Sequence, residues 1–147
     1  MTRYLFDVNV LVALFDPAHA HHEPAHEWFA RVGAAAWATC PITENGFVRV
    51  VSHVRYPTVE AGPAEALAHL RALTEGHPGH EFWPDSVSLA DDTLFDATLL
   101  ATGGAVTDAY LMGLAASRGG RLATFDRGML PAWFRGAGPG VLELLSG

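Results

Sequence analysis

The sequence predicts a three-layer α/β/α sandwich with a mostly parallel sheet of four or five strands. Short apolar runs at residues 3–6, 36–40 and 121–125 have the length of buried strands. Longer segments with apolar residues three and four positions apart alternate with these runs, as helices do in α/β folds. A chain of 147 residues is long enough for one complete core, so we expect residues 1–147 to form a single domain.

In the first half of the chain we expect two strands and four helices. Proline ends two of these helices, at Asp16-Pro17 and at Pro57, because the residue before a proline disfavours helical backbone. In chain order, the elements are a strand at 3–6, helices at 8–15 and 22–33, a strand at 36–40, and helices at 42–55 and 63–75.

The second half of the chain continues the alternation. Its clearest helix, at 104–118, is closed by Gly119-Gly120, whereas the helix at 88–101 has a poor apolar pattern. In chain order, the elements are an edge strand at 81–84, helices at 88–101 and 104–118, a strand at 121–125, a helical turn at 128–133 and a strand at 140–144.

The chain is acidic, with a formal net charge of −7, and each of its nine basic residues is an arginine. The absence of lysine excludes mechanisms that need one, such as Schiff-base or P-loop chemistry. An acidic protein is poorly suited to broad nucleic-acid binding through counterion release. It is well suited to a divalent cation or a basic partner.

Neither a membrane span nor a signal peptide is visible in the sequence. No apolar run has the length of a span, and no charged segment at the start is followed by an apolar one. Cys40 is the only cysteine, so an internal disulfide is excluded. We therefore expect a cytoplasmic protein with no membrane association.

Four carboxylates stand where buried side chains are expected. Asp7 and Asp126 each follow an apolar strand directly. Glu44 and Asp108 each lead the apolar stripe of a predicted helix, so they face the protein rather than water. Because these ends of strands and helices share one edge of an α/β sheet, we expect the four side chains to converge.

Each carboxylate also has a simpler structural explanation. Asp7 and Asp126 could cap the turns that follow them, and Glu44 and Asp108 could complement helix dipoles. The coincidence of all four favours a site, because two carboxylates about 5 Å apart repel by roughly 3 kcal/mol at an effective dielectric of about 20. A bound cation or retained protons relieve this repulsion, and oxygen ligands select Mg²⁺, or Mn²⁺ in its place.

Enzymes that hydrolyse phosphodiesters commonly use a carboxylate site that binds Mg²⁺. The ion polarises the scissile phosphate, lowers the pKa of a bound water and stabilises the leaving oxygen. If the substrate is RNA, water rather than the neighbouring 2′-hydroxyl is then the nucleophile, and the products are expected to carry 5′-phosphate and 3′-hydroxyl ends.

Each of the four carboxylates stands in a segment of its own. The segments are Leu5-Phe6-Asp7-Val8-Asn9-Val10-Leu11, Ile42-Thr43-Glu44, Val106-Thr107-Asp108-Ala109-Tyr110-Leu111 and Leu122-Ala123-Thr124-Phe125-Asp126-Arg127-Gly128. In their order and separation, they resemble the PIN-domain ribonucleases, and more closely the VapC toxins of type II toxin–antitoxin pairs. The resemblance covers nearly the whole chain.

The resemblance implies that the four carboxylates form the catalytic and metal-binding site. Asp7 and Asp108 are implied as direct ligands, whereas Glu44 and Asp126 act through water or hold a second ion. The polar residues implied to support them by hydrogen bonding are Asn9 and Thr124. The resemblance also implies a Mg²⁺-dependent endoribonuclease toxin acting on structured RNA, a homodimer, and inhibition by a VapB-type antitoxin.

A group of histidines before and within the second helix offers a rival metal site. His22 and His26 stand four positions apart, which is the spacing of zinc ligands on a helix, and His19 and His21 precede them. A third ligand and a supporting shell are not evident in the sequence. The favoured interpretation is that these histidines are polar residues at a helix end and on the surface, beside Trp28 and Phe29 and near a groove for the substrate.

Other polar residues have interpretations of their own. The acidic cluster of Asp91, Asp92 and Asp96 lacks the pattern of a calcium loop, which favours a solvated surface. Asp85 borders the site or belongs to a turn. In a chain without lysine, the candidates for phosphate contacts are Arg49, Arg55, Arg118 and Arg127.

Two classes of function remain open from the sequence. The first is the metal-dependent endoribonuclease, which the presence of all four carboxylates favours. The second is a non-catalytic RNA- or protein-binding module on the same fold, whose carboxylates engage a basic peptide. Phosphotransfer through an aspartyl nucleophile is disfavoured, because residue 9 is asparagine and the chain has no lysine.

Overall fold

The computed structural model describes residues 1–136 and 138–146. Within these ranges, five strands and five α-helices follow one another along the chain. The strands are β1 (Tyr4–Phe6), β2 (Trp37–Thr39), β3 (His80–Phe82), β4 (Arg121–Thr124) and β5 (Leu142–Leu144). The helices are α1 (Val8–Phe15), α2 (His22–Arg31), α3 (Pro41–Val51), α4 (Pro63–Glu75) and α5 (Gly103–Ser117).

The five strands form one sheet in the order β3-β2-β1-β4-β5, and every neighbouring pair is parallel. β1 lies at the centre, where Leu5 is in register with Ala38 of β2 and Leu122 of β4. The chain builds outwards from β1 to β3 and then returns to β4, so the strand order changes direction between β1 and β4. Ligands of open α/β sheets bind at such a point, beyond the carboxyl ends of the strands.

Helices cover both faces of the sheet, which confirms the predicted α/β/α sandwich. Successive side chains of a strand point to opposite faces. Leu5 and Leu122 accordingly pack in a core with α5, whereas Phe6 and Ala123 pack in a second core with α1 to α4. Both cores are apolar, and burying a charge in them would cost much free energy, so charged side chains are expected only at the edge of the sheet.

Helix α5 packs closely against the segments that flank it. A Cβ atom on Gly113 would come within 2.8 Å of the Phe95 ring and 2.9 Å of the Phe134 ring, so a larger residue does not fit there. Gly119 follows the helix with a φ of +69°, a left-handed conformation that glycine adopts without strain. These two glycines fix where α5 lies and where it stops.

The segment at 88–101 differs most from the predicted elements, because it forms turns and a short 3₁₀ helix instead of an α-helix. The Asp91 side chain accepts a hydrogen bond from the backbone N–H of Thr93 at 3.0 Å. Asp96 does the same with Thr98 at 3.1 Å. Such local bonds compete with the helical pattern, so the predicted helix is wrong.

Smaller differences concern where elements end. Helix α3 stops at Val51 rather than near Arg55, and the Ser52 hydroxyl donates to the Val48 carbonyl at 2.5 Å, at the point where the helix stops. The expected turn at 128–133 is a 3₁₀ helix over its last three residues. In the two described ranges, no helix is both long and apolar enough to cross a membrane.

Candidate active site

Asp7 lies at the carboxyl end of the central strand and is held on both of its oxygens. Oδ1 accepts a hydrogen bond from the backbone N–H of Val8 at 2.8 Å, so Asp7 caps α1. Oδ2 accepts from the hydroxyl of Thr124 at 2.7 Å. The capping role and a role in a site are therefore compatible, and the carboxyl group is fixed while only 6% of the residue is exposed.

Thr124 ties the ends of β1 and β4 together. Its buried hydroxyl donates to Asp7 and accepts from the side-chain amide of Asn9 at 3.1 Å and from the backbone N–H of Asp126 at 3.0 Å. Asn9 in turn accepts from the backbone N–H of Phe125 at 3.2 Å. This hydrogen-bond network holds the carboxyl group of Asp7 in a fixed orientation.

Three of the four predicted carboxylates share one open cavity of about 410 Å³, which we call the acidic cavity. Asp7 comes from the end of β1, Asp126 from the segment after β4, and Asp108 from the second turn of α5. Asn9 also lines the cavity. The sheet edge between β1 and β4 therefore brings together residues that are more than a hundred positions apart.

The carboxylates of the acidic cavity destabilise each other's charge. Burial raises the pKa of Asp7, and the charge of Asp126 adds to the effect although hydrogen bonds from Thr124 and Val8 oppose it. Burial, followed by the charges of Asp7 and Asp126, raises the pKa of Asp108 to about 6. A cation in the cavity would stabilise the charged forms of both groups.

Glu44 lies in the first turn of α3 and does not line the acidic cavity. Its Oε2 accepts a hydrogen bond from the Thr39 hydroxyl at 2.6 Å. The same hydroxyl is 2.7 Å from Nε2 of His80, which donates to it because the hydroxyl proton is used for Glu44. Glu44 is thus fixed beside the end of β2, one strand away from Asp7.

The polar atoms of the acidic cavity suit a hard cation. Carboxylate and amide oxygens from Asp7, Asn9, Asp108 and Asp126 are the ligands that Mg²⁺ and Mn²⁺ prefer. Among the described residues, however, no three His, Cys, Asp or Glu side chains form a ready-made ligand set. Two direct protein ligands with water at the remaining positions would fit this geometry, since Mg²⁺ usually keeps several waters.

The paired histidines of α2 bind backbone carbonyls at the end of α1. Nδ1 of His22 lies 2.7 Å from the Ala13 carbonyl, and Nε2 of His26 lies 2.9 Å from the Leu14 carbonyl. A carbonyl oxygen can only accept a hydrogen bond, so in each ring the nitrogen that faces the carbonyl carries a hydrogen and donates it. The pair satisfies orphan carbonyls at a helix end, which favours a structural role over zinc.

Two further residues, His19 and Tyr56, line the acidic cavity. The sequence indicated only a position near a substrate groove for the histidine group that includes His19, and it did not single out Tyr56. Nδ1 of His19 accepts a hydrogen bond from the backbone N–H of His21 at 3.0 Å, so the donor of the neutral ring is Nε2. Tyr56 donates its hydroxyl to Asp16 at 2.7 Å. Neither position belongs to a regular pattern, because both lie in loops.

The remaining candidates lie elsewhere. Asp85 lines a neighbouring cavity together with Arg49 and Val8. Arg118 lies over the ring of Trp83, 5.5 Å from its centroid, and so is engaged away from the cavity. The acidic residues at 91 and 96 cap turns, as described above.

The chain is similar to known proteins over most of its length. Residues 4–131 match the PIN domain family. Ribonuclease VapC39 of Mycobacterium tuberculosis is 43% identical over 141 residues, which cover 96% of this chain and 98% of that protein. Ribonuclease VapC44 of the same organism is 45% identical over 125 residues, or 85% of this chain and 87% of that protein. The chain therefore belongs to the PIN domain family and, within it, to the VapC ribonucleases.

Proposed function

We propose that this protein is the toxin of a type II toxin–antitoxin pair and that its acidic cavity hydrolyses RNA phosphodiesters with Mg²⁺, or Mn²⁺ in its place. One observation carries the proposal. Asp7, Asp108 and Asp126 line a single cavity, and burial and mutual repulsion raise the pKa of the first two. The similarity to ribonucleases along the chain supports the same reaction.

Asp7 and Asp108 would hold the ion, because both lie in the cavity and both gain most from a neighbouring positive charge. Asp126 would act through water, since it is exposed at the rim. Glu44 would act at most through water, because it is bonded to Thr39 outside the cavity lining. When bound there, Mg²⁺ supplies Lewis-acid polarisation of the phosphate and a lower pKa for water.

The chain itself supplies orientation and a place for a proton. Val8 and Thr124 hold both oxygens of Asp7, so its carboxylate needs no reorganisation when substrate arrives. Asp126 uses Oδ1 to accept from the backbone N–H of Gly128. Its Oδ2 would take the proton of the attacking water, while the leaving 3′-oxygen gains a proton from solvent. The products carry 5′-phosphate and 3′-hydroxyl ends.

The test is cleavage of total cellular RNA by the purified protein. Wild-type protein is compared in Mg²⁺, in Mn²⁺ and in EDTA, together with Asp7→Asn. Asp92→Asn is the matched control, because it removes the same charge from an exposed side chain outside the cavity. We expect discrete fragments that require metal, vanish in Asp7→Asn and persist in Asp92→Asn.

The ends of the fragments test the nucleophile separately. Fragments with 2′,3′-cyclic phosphate would show that the neighbouring 2′-hydroxyl attacks and would overturn the mechanism. Metal binding without any cleavage would instead favour a non-catalytic module that uses the carboxylates to bind a basic peptide.

A VapB-type antitoxin is the expected partner, and a homodimer is the expected assembly. Production of the wild-type chain alone should then arrest growth, whereas Asp7→Asn should not. Co-production with the cognate antitoxin should restore growth and give a stable complex on gel filtration. Growth arrest that is equally strong with Asp7→Asn would argue against RNA hydrolysis as its cause.

A further inference from the structure

We propose that the RNA strand reaches the acidic cavity along an adjoining groove that binds its phosphates through arginine. This inference rests on the function proposed above and assigns the path of the substrate. The groove has a volume of about 420 Å³ and follows the end of α3 and the loop after it. We call it the arginine groove, and the residues that define it are Arg49, Val50, His53, Arg55 and Tyr56.

The arginine groove is continuous with the acidic cavity. Val50 and Tyr56 line both of them, so one wall is shared. An RNA strand with a phosphodiester over Asp7 and Asp108 can therefore continue directly into the groove. The geometry places cations beside the acidic site without placing them among the carboxylates.

The two arginines of the groove are available to a ligand. Arg49 and Arg55 are exposed, and neither forms a salt bridge with any described residue. In contrast, the arginines paired with carboxylates elsewhere in the chain are Arg3, Arg121 and Arg135. His53 adds a donor, because its Nδ1 accepts from the backbone N–H of Arg55 at 3.0 Å and leaves Nε2 to carry the proton of the neutral ring.

Electrostatics explain why such a groove is needed. The chain has a formal net charge of −7 and its site is built from carboxylates, so the protein as a whole repels a polyanion. Affinity for RNA then has to come from a local positive patch next to the cavity. An acidic peptide would also suit two arginines, but continuity with a cavity that accepts a phosphodiester favours a nucleic-acid strand.

Tyr56 forms a wall between the groove and the cavity and is suited to stack a base. Its hydroxyl donates to Asp16 Oδ2 at 2.7 Å, which fixes the ring while leaving the residue partly exposed. Aromatic rings beside a basic track are the usual means of binding single-stranded nucleic acid without reading its sequence. The groove would therefore hold a strand whose bases are unpaired.

The test is fluorescence anisotropy with a fluorescein-labelled, mixed-sequence, single-stranded RNA of about 12 nucleotides, within the length range of single-strand sites. EDTA prevents metal-dependent cleavage, and affinity is measured as a function of salt. The variants are Arg49→Gln and Arg55→Gln. Arg71→Gln is the matched control, because it removes the same charge from an exposed position on α4.

We expect each groove variant to weaken binding several-fold and to reduce the slope of log affinity against log salt by about 0.7, as for one lost phosphate contact on a single strand. Arg71→Gln should leave the slope unchanged. Equal losses in all three variants would show a general effect of net charge. That result, or failure of the wild-type protein to bind the RNA at low salt, would overturn the proposal.

Two variants of Tyr56 test the stacking wall. Tyr56→Phe and Tyr56→Leu both lose the hydrogen bond to Asp16, but only the first keeps the ring. We expect Tyr56→Phe to retain RNA affinity and Tyr56→Leu to lose about tenfold. Equal RNA affinities for the two variants would show that the ring of Tyr56 does not stack on a base.

The outcomes separate this inference from the proposed function. RNA binding that depends on Arg49 and Arg55, without cleavage by the wild-type protein in Mg²⁺, would reject the nuclease and keep the groove. Cleavage with an unchanged KM in both arginine variants would keep the nuclease and reject the groove. A changed oligomeric state in light scattering with unchanged RNA affinity would identify the groove as a protein interface instead.

Discussion

Replacement of Thr124 by valine tests whether one hydroxyl holds the centre of the site. Valine has nearly the same shape, so the change removes the hydroxyl without leaving a large cavity. The lost bonds are those to the carboxylate of Asp7, at 2.7 Å, and from Asn9 and the backbone N–H of Asp126. Thr124 is fully buried, and in the variant a methyl group of valine takes the place of the hydroxyl, so this position no longer offers a hydrogen bond.

The expected cost follows from these contacts. A hydrogen bond to a charged group contributes about 1.5–3 kcal/mol, and a typical neutral hydrogen bond contributes about 0.5–1.5 kcal/mol. In the variant, the side-chain amide of Asn9 can still donate to Asp7, at 3.4 Å. The backbone N–H of Asp126 loses the acceptor that Thr124 provided. We expect Thr124→Val to lower the free energy of unfolding by about 3 kcal/mol at neutral pH, equivalent to roughly 6–12 °C in Tm.

The pH dependence identifies the charged partner. The hydrogen bond from Thr124 lowers the pKa of Asp7 against the larger, opposite effect of burial, so the variant raises that pKa further. The deficit should therefore be largest where Asp7 is ionised and should shrink towards about 1 kcal/mol at acid pH, where Asp7 is neutral in both proteins.

Urea denaturation near neutral pH and at about pH 4 measures both quantities. Thr124→Ser is the control, because it keeps the hydroxyl and loses only a methyl group, at a cost of about 1 kcal/mol. Equal stability of the valine and serine variants at neutral pH, or a deficit that does not change with pH, would refute this account of how Asp7 is held. RNA cleavage should fall at least tenfold in the valine variant and much less in the serine variant.

Three further predictions concern other groups. Burial and neighbouring carboxylates raise the pKa of Asp108 to about 6. Because the folded protein then resists ionisation of this group, its free energy of unfolding in EDTA should fall as pH rises from about 4 to 6. The expected loss is about 1–2 kcal/mol, which allows for partial solvent screening. Mg²⁺ should restore this stability at neutral pH. Asp108→Asn should reduce the pH effect in thermal denaturation and leave the part that comes from the raised pKa of Asp7. Burial opposes ionisation of Asp16, but hydrogen bonds from two hydroxyl groups of the loop at 56–58 outweigh it and lower the pKa. Asp16→Asn should thus cost about 1–3 kcal/mol at neutral pH and less as pH falls through the lowered pKa; a pH-independent cost in urea denaturation would contradict this. Two variants of His19 separate the two nitrogens of its ring. His19→Asn replaces Nδ1 and keeps an acceptor for the backbone N–H of His21, whereas His19→Gln places an amide near the position of Nε2. If Nε2 contacts RNA, kcat/KM should fall about tenfold in the asparagine variant and be largely retained in the glutamine variant, while the same pattern in Tm would indicate a purely structural role.

The sequence predicts the position of the site because the site follows from sheet geometry. Asp7 and Asp126 each stand directly after an apolar strand, and parallel strands end at one edge. The two strands prove to be neighbours at the centre of the sheet. Asp108 was predicted from its place in the apolar stripe of its helix, and its location in the cavity agrees with that reasoning.

Features that depend on side-chain hydrogen bonds could not be predicted. The helix expected at 88–101 is absent because Asp91 and Asp96 bind nearby backbone N–H groups, and helical patterning does not report that competition. Glu44 satisfied the same stripe criterion as Asp108, but Thr39 binds it outside the cavity lining. A stripe indicates which side of a helix faces inwards, whereas the partner of a buried carboxylate depends on tertiary contacts.

The place of β4 in the sheet has a consequence for synthesis of the chain. β4 lies directly beside β1, yet it is the fourth strand to leave the ribosome. Until Thr124 has emerged, the growing chain lacks both the hydroxyl that holds Asp7 and the carboxylate of Asp126. The order of the strands thus delays assembly of the acidic cavity until most of the chain has been made.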